Sequence, residues 1–176
     1  MGERAGRVEG KVASVTGAGS TPGPGVGTGK ATAVVLAREG ARVLLVDLYA
    51  ERAEDTLRMI EDEGGEAAVL AADATRAADC EAMVQAALDT FGRLDILVNN
   101  IGLASVGTVV DTNEEAWDRA FAINLRTAFL ACKYSVPPMA AQGGGAIVNI
   151  SSISALRGDG TVAYSAAKGG LSAMTV

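Results

Sequence analysis

Five short apolar runs, separated by longer amphipathic segments, constrain the fold of this chain more than any other feature of its sequence. Most of the runs are nearly continuous in apolar residues, which is typical of strands covered on both faces of a parallel sheet. They predict strands at residues 11–16, 42–47, 66–71, 94–99 and 146–151. Strands that alternate with helices imply right-handed crossovers. The sequence therefore predicts an α/β fold, with a doubly wound parallel sheet in a three-layer αβα arrangement.

The segments between the runs carry apolar residues at helical spacing. The stripes are formed by Ala53, Leu57 and Ile60 in one segment and by Cys80, Met83, Val84, Ala87 and Phe91 in the next. Farther along, Thr112 and Glu115 form a T-x-x-E capping box. That motif predicts a further helix that begins near Thr112.

Composition and charge exclude several classes of protein. A chain of 176 residues, 49% hydrophobic, is typical of a single domain, residues 1–176. The net charge of −6, with acids and bases interspersed, disfavours binding to nucleic acid or to an anionic membrane. There is no histidine, and Cys80 and Cys132 lie far apart, so we expect no metal and two thiols that pack in apolar surroundings. The first ten residues lack the apolar core of a signal peptide, which predicts a cytoplasmic location.

A glycine-rich stretch, TGAGSTPGPGVGTGKA, lies between the first predicted strand and the first helix-like segment. It is not a P-loop, because Pro24 stands at the first glycine position of that motif. The G-x-G-x-x-G fingerprint begins at Gly17 and Gly19, but its third position holds Pro22. In a doubly wound sheet, a loop at this place brings backbone amides and a helix N-terminus to the carboxyl ends of the strands. That location favours the binding of a pyrophosphate.

Asp47 ends the second apolar run, RVLLVD. A carboxylate there can accept hydrogen bonds from both hydroxyl groups of an adenosine ribose and repel a 2′-phosphate. Asp47 therefore favours NAD over NADP. The alternative interpretation is a solvated aspartate in a turn.

Two polar residues near the end of the chain indicate proton chemistry. Tyr164 and Lys168 are four residues apart, so on a helix they share one face, where an ammonium group can stabilise a phenolate. They follow a predicted strand that ends in two serines.

Asn124 lies on the buried stripe of an earlier helix, where a side-chain amide is costly unless it is hydrogen-bonded. Its sequence context predicts a core asparagine that caps an irregularity of the backbone.

Together these motifs resemble those of the short-chain dehydrogenases/reductases. The family pattern T-G-x-x-x-G-x-G is matched from Thr16 to Gly29 if residues 21–26 are an insertion, and Asn99-Asn100-Ile101-Gly102 stands where the family has N-N-A-G. The resemblance implies a Rossmann fold and matches Asp73 to the acid that binds the adenine amino group. The cofactor-binding residues it implies are Gly17, Ser20, Gly27, Gly29, Asp47, Asp73, Ala74, Asn99, Ile101, Gly102, Tyr164 and Lys168.

The resemblance also implies the reaction, a reversible hydride transfer between NAD and a secondary alcohol or ketone, without a metal. Tyr164 would be the general acid and base, Lys168 would tune it and hold the nicotinamide ribose, and Asn124 would hold a water of a proton relay. Ser152 would bind the substrate oxygen. The N-I-S-S alignment favours Ser152, although Ser151 has the family's usual separation from Tyr164. We choose Ser152 with a one-residue loop deletion, because strand register is harder to shift than loop length.

The resemblance covers about the first two-thirds of the family, because the chain ends within the helix that follows Tyr164. Two classes of function remain open: an NAD-dependent oxidoreductase, and a non-catalytic dinucleotide-binding or interaction module on a truncated scaffold. The intact set of Asn124, Ser152, Tyr164 and Lys168 favours the first. We expect little activity from the 176 residues alone, and a dimer or tetramer from the full-length protein, paired through the helices near residues 112–135 and after Tyr164. The sequence does not name the substrate.

Overall fold

The described part of the chain folds into five parallel strands that alternate with six α-helices. The computed structural model describes residues 6–21, 23, 25–158 and 160–175. The strands are β1 Val12–Thr16, β2 Arg42–Asp47, β3 Ala67–Ala71, β4 Ile96–Asn99 and β5 Ala146–Asn149. The helices are α1 Thr28–Arg38, α2 Ala50–Asp62, α3 Ala77–Phe91, α4 Glu114–Phe121, α5 Thr127–Ala141 and α6 Val162–Met174.

The strands form one sheet in the order β3-β2-β1-β4-β5, and every neighbouring pair is parallel. Strand order reverses at β1, with β2 and β3 on one side and β4 and β5 on the other. The loops that follow β1 and β4 therefore diverge over the carboxyl end of the sheet. This is the place where doubly wound folds bind ligands. The predicted fold class is confirmed.

Helices cover both faces of the sheet. On one face, α1 and α2 pack over a buried cluster that includes Val15, Val43 and Leu45. On the other face, α3 and α5 pack over a cluster that includes Leu44 and Leu97. Because alternate side chains of a strand point to opposite faces, strands buried on both sides need the nearly continuous apolar runs seen in the sequence.

Two strands are shorter than predicted by two residues, and β1 and β3 are shorter by one. The strand predicted at 94–99 begins at Ile96. Just before it, the Asp95 carboxylate accepts a hydrogen bond from the Val12 amide over 2.9 Å and forms a paired contact with the Arg93 guanidinium. The strand predicted at 146–151 ends at Asn149. Beyond it the Ser151 hydroxyl group donates a hydrogen bond to the Lys168 carbonyl of α6.

The predicted capping box at Thr112 is wrong by one residue. Asn113 is the N-cap of α4, and its side chain accepts a hydrogen bond from the Ala116 amide over 2.8 Å. The Thr112 hydroxyl group instead donates to the Thr108 carbonyl over 2.8 Å. Both residues are good N-caps, and the preceding turn uses Thr112.

The helix expected at about residues 112–135 is three segments. Between α4 and α5 lies a π-helical segment, Ala122–Arg126, which contains Asn124. The helix of Tyr164 and Lys168 begins two residues before Tyr164, at Val162. No helix of the described residues is long and apolar enough to cross a membrane.

Candidate active site

The loop after β1 makes a tight turn at Gly17, whose φ is +64°. Only glycine adopts this conformation without strain. The start of α1 approaches that turn closely, since a Cβ atom on Gly29 would lie 2.0 Å from the Gly17 carbonyl oxygen. Two of the four glycines predicted to bind the cofactor are thus the positions where strand and helix meet, which is the strand–turn–helix context of a pyrophosphate site.

Ser20 and Gly27 join the two ends of the inserted stretch. The Ser20 hydroxyl oxygen accepts a hydrogen bond from the Gly27 amide over 2.7 Å. A Cβ atom on Gly27 would lie 2.8 Å from that oxygen. Two residues of the insertion predicted at 21–26, Pro22 and Pro24, lie outside the described residues.

The Asp47 carboxylate at the end of β2 is fixed by two backbone amides. Its Oδ2 accepts from Gly19 over 3.0 Å and its Oδ1 accepts from Tyr49 over 3.1 Å. A Cβ atom on Gly19 would lie 2.4 Å from Cβ of Arg52. The predicted site residues omit Gly19, Tyr49 and Arg52, although the second glycine of G-x-G in the sequence marks Gly19 as a place of close approach.

Asp73 and Ala74 follow β3. The Asp73 carboxylate accepts hydrogen bonds from the Thr75 hydroxyl group over 2.6 Å and from the Thr75 amide over 2.9 Å. The hydroxyl contact is the main cause that lowers the pKa of Asp73 below its usual value. Ala74 is buried, and its carbonyl accepts from the Cys80 thiol over 3.3 Å. Burial, aided by the charges of Asp79 and Asp73, raises the pKa of that thiol to about 11.

These loops surround a cleft of about 460 Å³ over the carboxyl ends of β1, β2, β3 and β4. The predicted cofactor residues that line it are Gly17, Ser20, Asp47, Asp73, Ala74, Ile101 and Gly102. Residues that line it without having been predicted include Tyr49, Arg52, Asn100, Arg119 and Thr127. The structure thus brings together seven predicted residues that span 86 positions of sequence.

Asn99 and Asn100 have different surroundings. The buried Asn99 amide donates to Asn149 Oδ1 over 2.8 Å and to the sulfur of Cys132 over 3.4 Å, outside the lining of the cleft. The Asn100 amide donates to the carbonyl oxygens of Thr16 and Gly17, over 3.2 and 3.0 Å. Asn100 therefore supports the Gly17 turn, a role that the sequence analysis did not give it.

Lys168 is 2% exposed and lies under the junction of two loops. Its Nζ donates to the carbonyl oxygen of Ile150, after β5, over 2.8 Å, and to that of Ile101, after β4, over 3.1 Å. Burial lowers the pKa of this ammonium group. Its Nζ lies 6.0 Å from the ring centroid of Tyr164, one helical turn earlier on α6. A Cβ atom on Gly102 would lie 3.2 Å from Nζ, so the glycine leaves room for the lysine.

Asn124 holds the loop after β4. Its Oδ1 accepts from the Leu103 amide over 2.8 Å, and its Nδ2 donates to the Leu103 carbonyl over 3.0 Å and to the Ala120 carbonyl over 2.9 Å. Its side chain is thus fully hydrogen-bonded within the π-helical segment. π-helical segments occur often at functional sites. The backbone irregularity predicted at this asparagine is present.

The two candidate serines face different partners. The Ser151 hydroxyl group donates to the Lys168 carbonyl over 3.1 Å and lies 2.9 Å from the Ser172 hydroxyl oxygen, so it contacts α6. The Ser152 hydroxyl oxygen accepts from the Ser154 amide over 3.2 Å, at the start of a short 3₁₀ helix, Ile153–Ala155. Ser152 remains the predicted partner of the substrate oxygen. Among the described residues the Tyr164 hydroxyl group has no hydrogen-bond partner.

Comparison of this chain with known protein families shows the family to which it belongs. The family described as short chain dehydrogenase matches residues 11–176. This chain belongs to the short-chain dehydrogenase family. An uncharacterized oxidoreductase of Thermotoga maritima is 43% identical over 168 residues, which are 95% of this chain and 64% of the relative. A cyclohexanol dehydrogenase of an Acinetobacter species is 40% identical over 167 residues, 94% of this chain and 64% of the relative.

Solved structures of short-chain dehydrogenases share the fold. An NAD⁺-bound xylitol dehydrogenase is 32% identical and superimposes with a TM-score of 0.89, over 96% of this chain and 64% of its own. The chain thus spans about 64% of the length of these relatives. Two of these relatives are named for different alcohols, cyclohexanol and xylitol, so membership of the family leaves the substrate open.

Proposed function

We propose that the protein containing this chain is an NAD-dependent oxidoreductase that interconverts a secondary alcohol and a ketone. The buried Lys168 carries the proposal. It is one turn from Tyr164 and hydrogen-bonded to both loops at the carboxyl ends of β4 and β5. A buried ammonium group is costly and needs a reason for its position. In a short-chain dehydrogenase, that reason is the activation of the neighbouring phenol.

The cleft fits a nicotinamide dinucleotide. A Cβ atom on Gly17, Gly19 or Gly29 would lie too close to neighbouring protein atoms, so glycine allows the loop and the helix to approach each other there. A loop that admits a pyrophosphate requires this close approach. Asp47 presents a fixed carboxylate at the end of β2, suited to ribose hydroxyl groups, and its charge favours NAD over NADP. Asp73, Ala74, Ile101 and Gly102 would line the adenine and nicotinamide ends. A dinucleotide held by these residues would supply the hydride chemistry at the carbinol carbon in both directions.

The protein's own residues would handle the proton. In oxidation, the Tyr164 oxygen takes the proton of the substrate hydroxyl group as the C–H bond breaks, and in reduction it returns that proton. The ammonium group of Lys168 would stabilise the Tyr164 phenolate, which accepts this proton in oxidation and is formed again in reduction. The Ser152 hydroxyl group donates to the substrate oxygen and stabilises charge on it. Asn124 fixes the loop beside this site and, through its π-helical segment, would hold a relay water.

We also propose that the full-length protein associates through α4, α5 and α6. An apolar groove of about 690 Å³ runs between these helices, lined mainly by Phe121, Leu125, Phe129 and Met174. The same helices are the pairing elements implied by the resemblance. A second copy of the chain is the occupant that we propose.

The experiment compares the wild-type protein, expressed from the complete reading frame that contains this chain, with Tyr164→Phe. NADH formation is followed with a panel of secondary alcohols. We expect turnover in the wild type and a loss of about a hundredfold or more in kcat for the variant, the usual scale for a positioned proton donor. Tyr134→Phe, on α5, is the matched control and should retain activity. NAD binding without turnover of any alcohol or ketone would instead support a non-catalytic dinucleotide-binding module.

A further inference from the structure

Two loops border the proposed catalytic residues. One, residues 102–110, follows β4, and the other, residues 151–156, follows β5. Their starts are joined by Lys168, whose Nζ bonds to the residue before each loop. Farther on, the Gly107 amide donates to the Gly160 carbonyl over 2.8 Å. Gly160 lies between the second loop and α6, so the segments that follow β4 and β5 are hydrogen-bonded neighbours at this point.

Both loops expose large apolar side chains. Leu103 is 52% exposed, Val106 93%, Ile153 61% and Leu156 80%. The nearest charged residues in sequence, Asp111 and Arg157, follow the two loops directly. Single apolar residues on a surface need no explanation, but several exposed apolar side chains on two loops beside one candidate site indicate a ligand-binding surface.

The apolar side chains are tied to the proposed catalytic residues. Leu103 follows Gly102, whose Cα carries no side chain where Lys168 Nζ approaches. Both backbone polar groups of Leu103 are bonded to Asn124, so this residue has a fixed position. Ile153 follows Ser152 directly and begins the 3₁₀ helix that packs on α6, the helix of Tyr164 and Lys168.

We infer that the substrate is an apolar secondary alcohol or ketone, and that Leu103, Ile153 and Leu156 determine this specificity. The inference rests on the proposed dehydrogenase function. A polyol would place several hydroxyl groups against Leu and Ile side chains, where they lose hydrogen bonds to water without replacement.

The test uses the protein from its complete reading frame with NAD and three probes. Cyclohexanol represents the apolar class. myo-Inositol carries the same six-membered ring with a hydroxyl group on every carbon, and xylitol is an open-chain polyol. We expect kcat/KM for cyclohexanol to exceed that for either polyol by about a hundredfold or more, because unpaired polar groups discriminate strongly. A preference for a polyol would overturn the inference and leave the dehydrogenase function standing. Absence of turnover with all three probes and with a wider alcohol panel would overturn both.

Variants test the named residues. Leu103→Asn and Ile153→Asn should each raise KM for cyclohexanol and lower the cyclohexanol-to-polyol ratio by about tenfold, the scale of one lost apolar contact in a specificity pocket, while Tm changes little. Val35→Asn replaces an apolar residue of similar exposure on α1 and should change neither quantity. If Leu103→Asn and Ile153→Asn lower Tm and reduce turnover of every probe by one common factor, another part of the protein or a second copy covers these side chains, and the inference is wrong.

Discussion

The Asn124 side chain binds both backbone polar groups of Leu103, at 2.8 Å to the amide and 3.0 Å to the carbonyl. The two residues are 21 positions apart, and the amide of Asn124 also reaches the Ala120 carbonyl within its own helix. An asparagine is the right size and has both a donor and an acceptor for this pairing. The contact fixes the loop that carries Ile101, Gly102 and Leu103 against the π-helical segment.

Asn124→Asp tests that contact. The substitution keeps the acceptor for the Leu103 amide but turns a carboxylate oxygen toward the carbonyl oxygens of Leu103 and Ala120. We expect the free energy of unfolding to fall by about 2–4 kcal/mol, because these two acceptors lose their donor and face a negative charge, and kcat to fall as well. Asn113→Ala removes one exposed capping bond and should cost about 1 kcal/mol without a change in kcat. Urea denaturation that finds the two variants equally stable would contradict an anchoring role of Asn124.

The sequence predicted the strands well because their signal is local. The run RVLLVD is buried on both faces, and β2 has the predicted bounds, 42–47. The order of strands and helices and the grouping of Gly17, Asp47, Asp73 and Gly102 at one edge follow from the parallel topology alone. A resemblance to the family then suggested roles for these residues.

The features that the sequence could not predict depend on hydrogen-bond partners that the local sequence pattern does not specify. Thr112 and Asn113 are both good N-caps, and the choice between them is made by Thr108, which binds the Thr112 hydroxyl group. The exact extent of the π-helical segment depends on bonds between Asn124 and a loop 21 residues away. The direction of the Ser151 hydroxyl group is set by α6, which contacts it through Lys168 and Ser172.

Cofactor choice is tested at Asp47. The wild type should use NAD with a higher kcat/KM than NADP, because the Asp47 carboxylate, held by the amides of Gly19 and Tyr49, repels a 2′-phosphate. Asp47→Ala should lower the NAD-to-NADP ratio by about tenfold or more, as expected from the loss of one charge interaction. Asp62→Ala, at the exposed end of α2, is the control for net charge. Calorimetric titration that shows equal or tighter NADP binding by the wild type would remove Asp47 from this role.

The two serines can be separated by kinetics and stability. Ser152→Ala should lower kcat/KM by about a hundredfold, the scale for loss of one donor to a developing charge. Ser151→Ala should mainly remove the contacts with Lys168 and Ser172 and cost about 1 kcal/mol of stability. The reverse pattern, with the larger kinetic loss in Ser151→Ala, would assign the substrate contact to Ser151 and dispense with the one-residue loop deletion.

The buried ammonium group of Lys168 should make stability depend on pH. Burial lowers its pKa in the folded protein below the usual 10.5. Between the folded and unfolded pKa values the unfolded chain binds more protons, so stability rises with pH through this interval. The unfolding free energy of the wild type should therefore rise relative to that of Lys168→Met as pH rises toward 10.5. Denaturant titrations over a pH series measure it, and a difference that does not change with pH would show that burial leaves this lysine unperturbed.

Association is tested in the groove between α4, α5 and α6. Phe129 lines this groove and is half exposed, so in a dimer its ring would be covered by the second copy. Phe129→Arg would place a charge in that apolar contact, where its desolvation is not repaid. We expect the wild-type protein from its complete reading frame to be a dimer or tetramer by light scattering, and Phe129→Arg to shift to a smaller species. Val35→Arg, on α1, adds the same charge on another surface and should leave the mass unchanged. A monomeric wild type, or an unchanged mass in Phe129→Arg, would exclude this groove as the subunit contact.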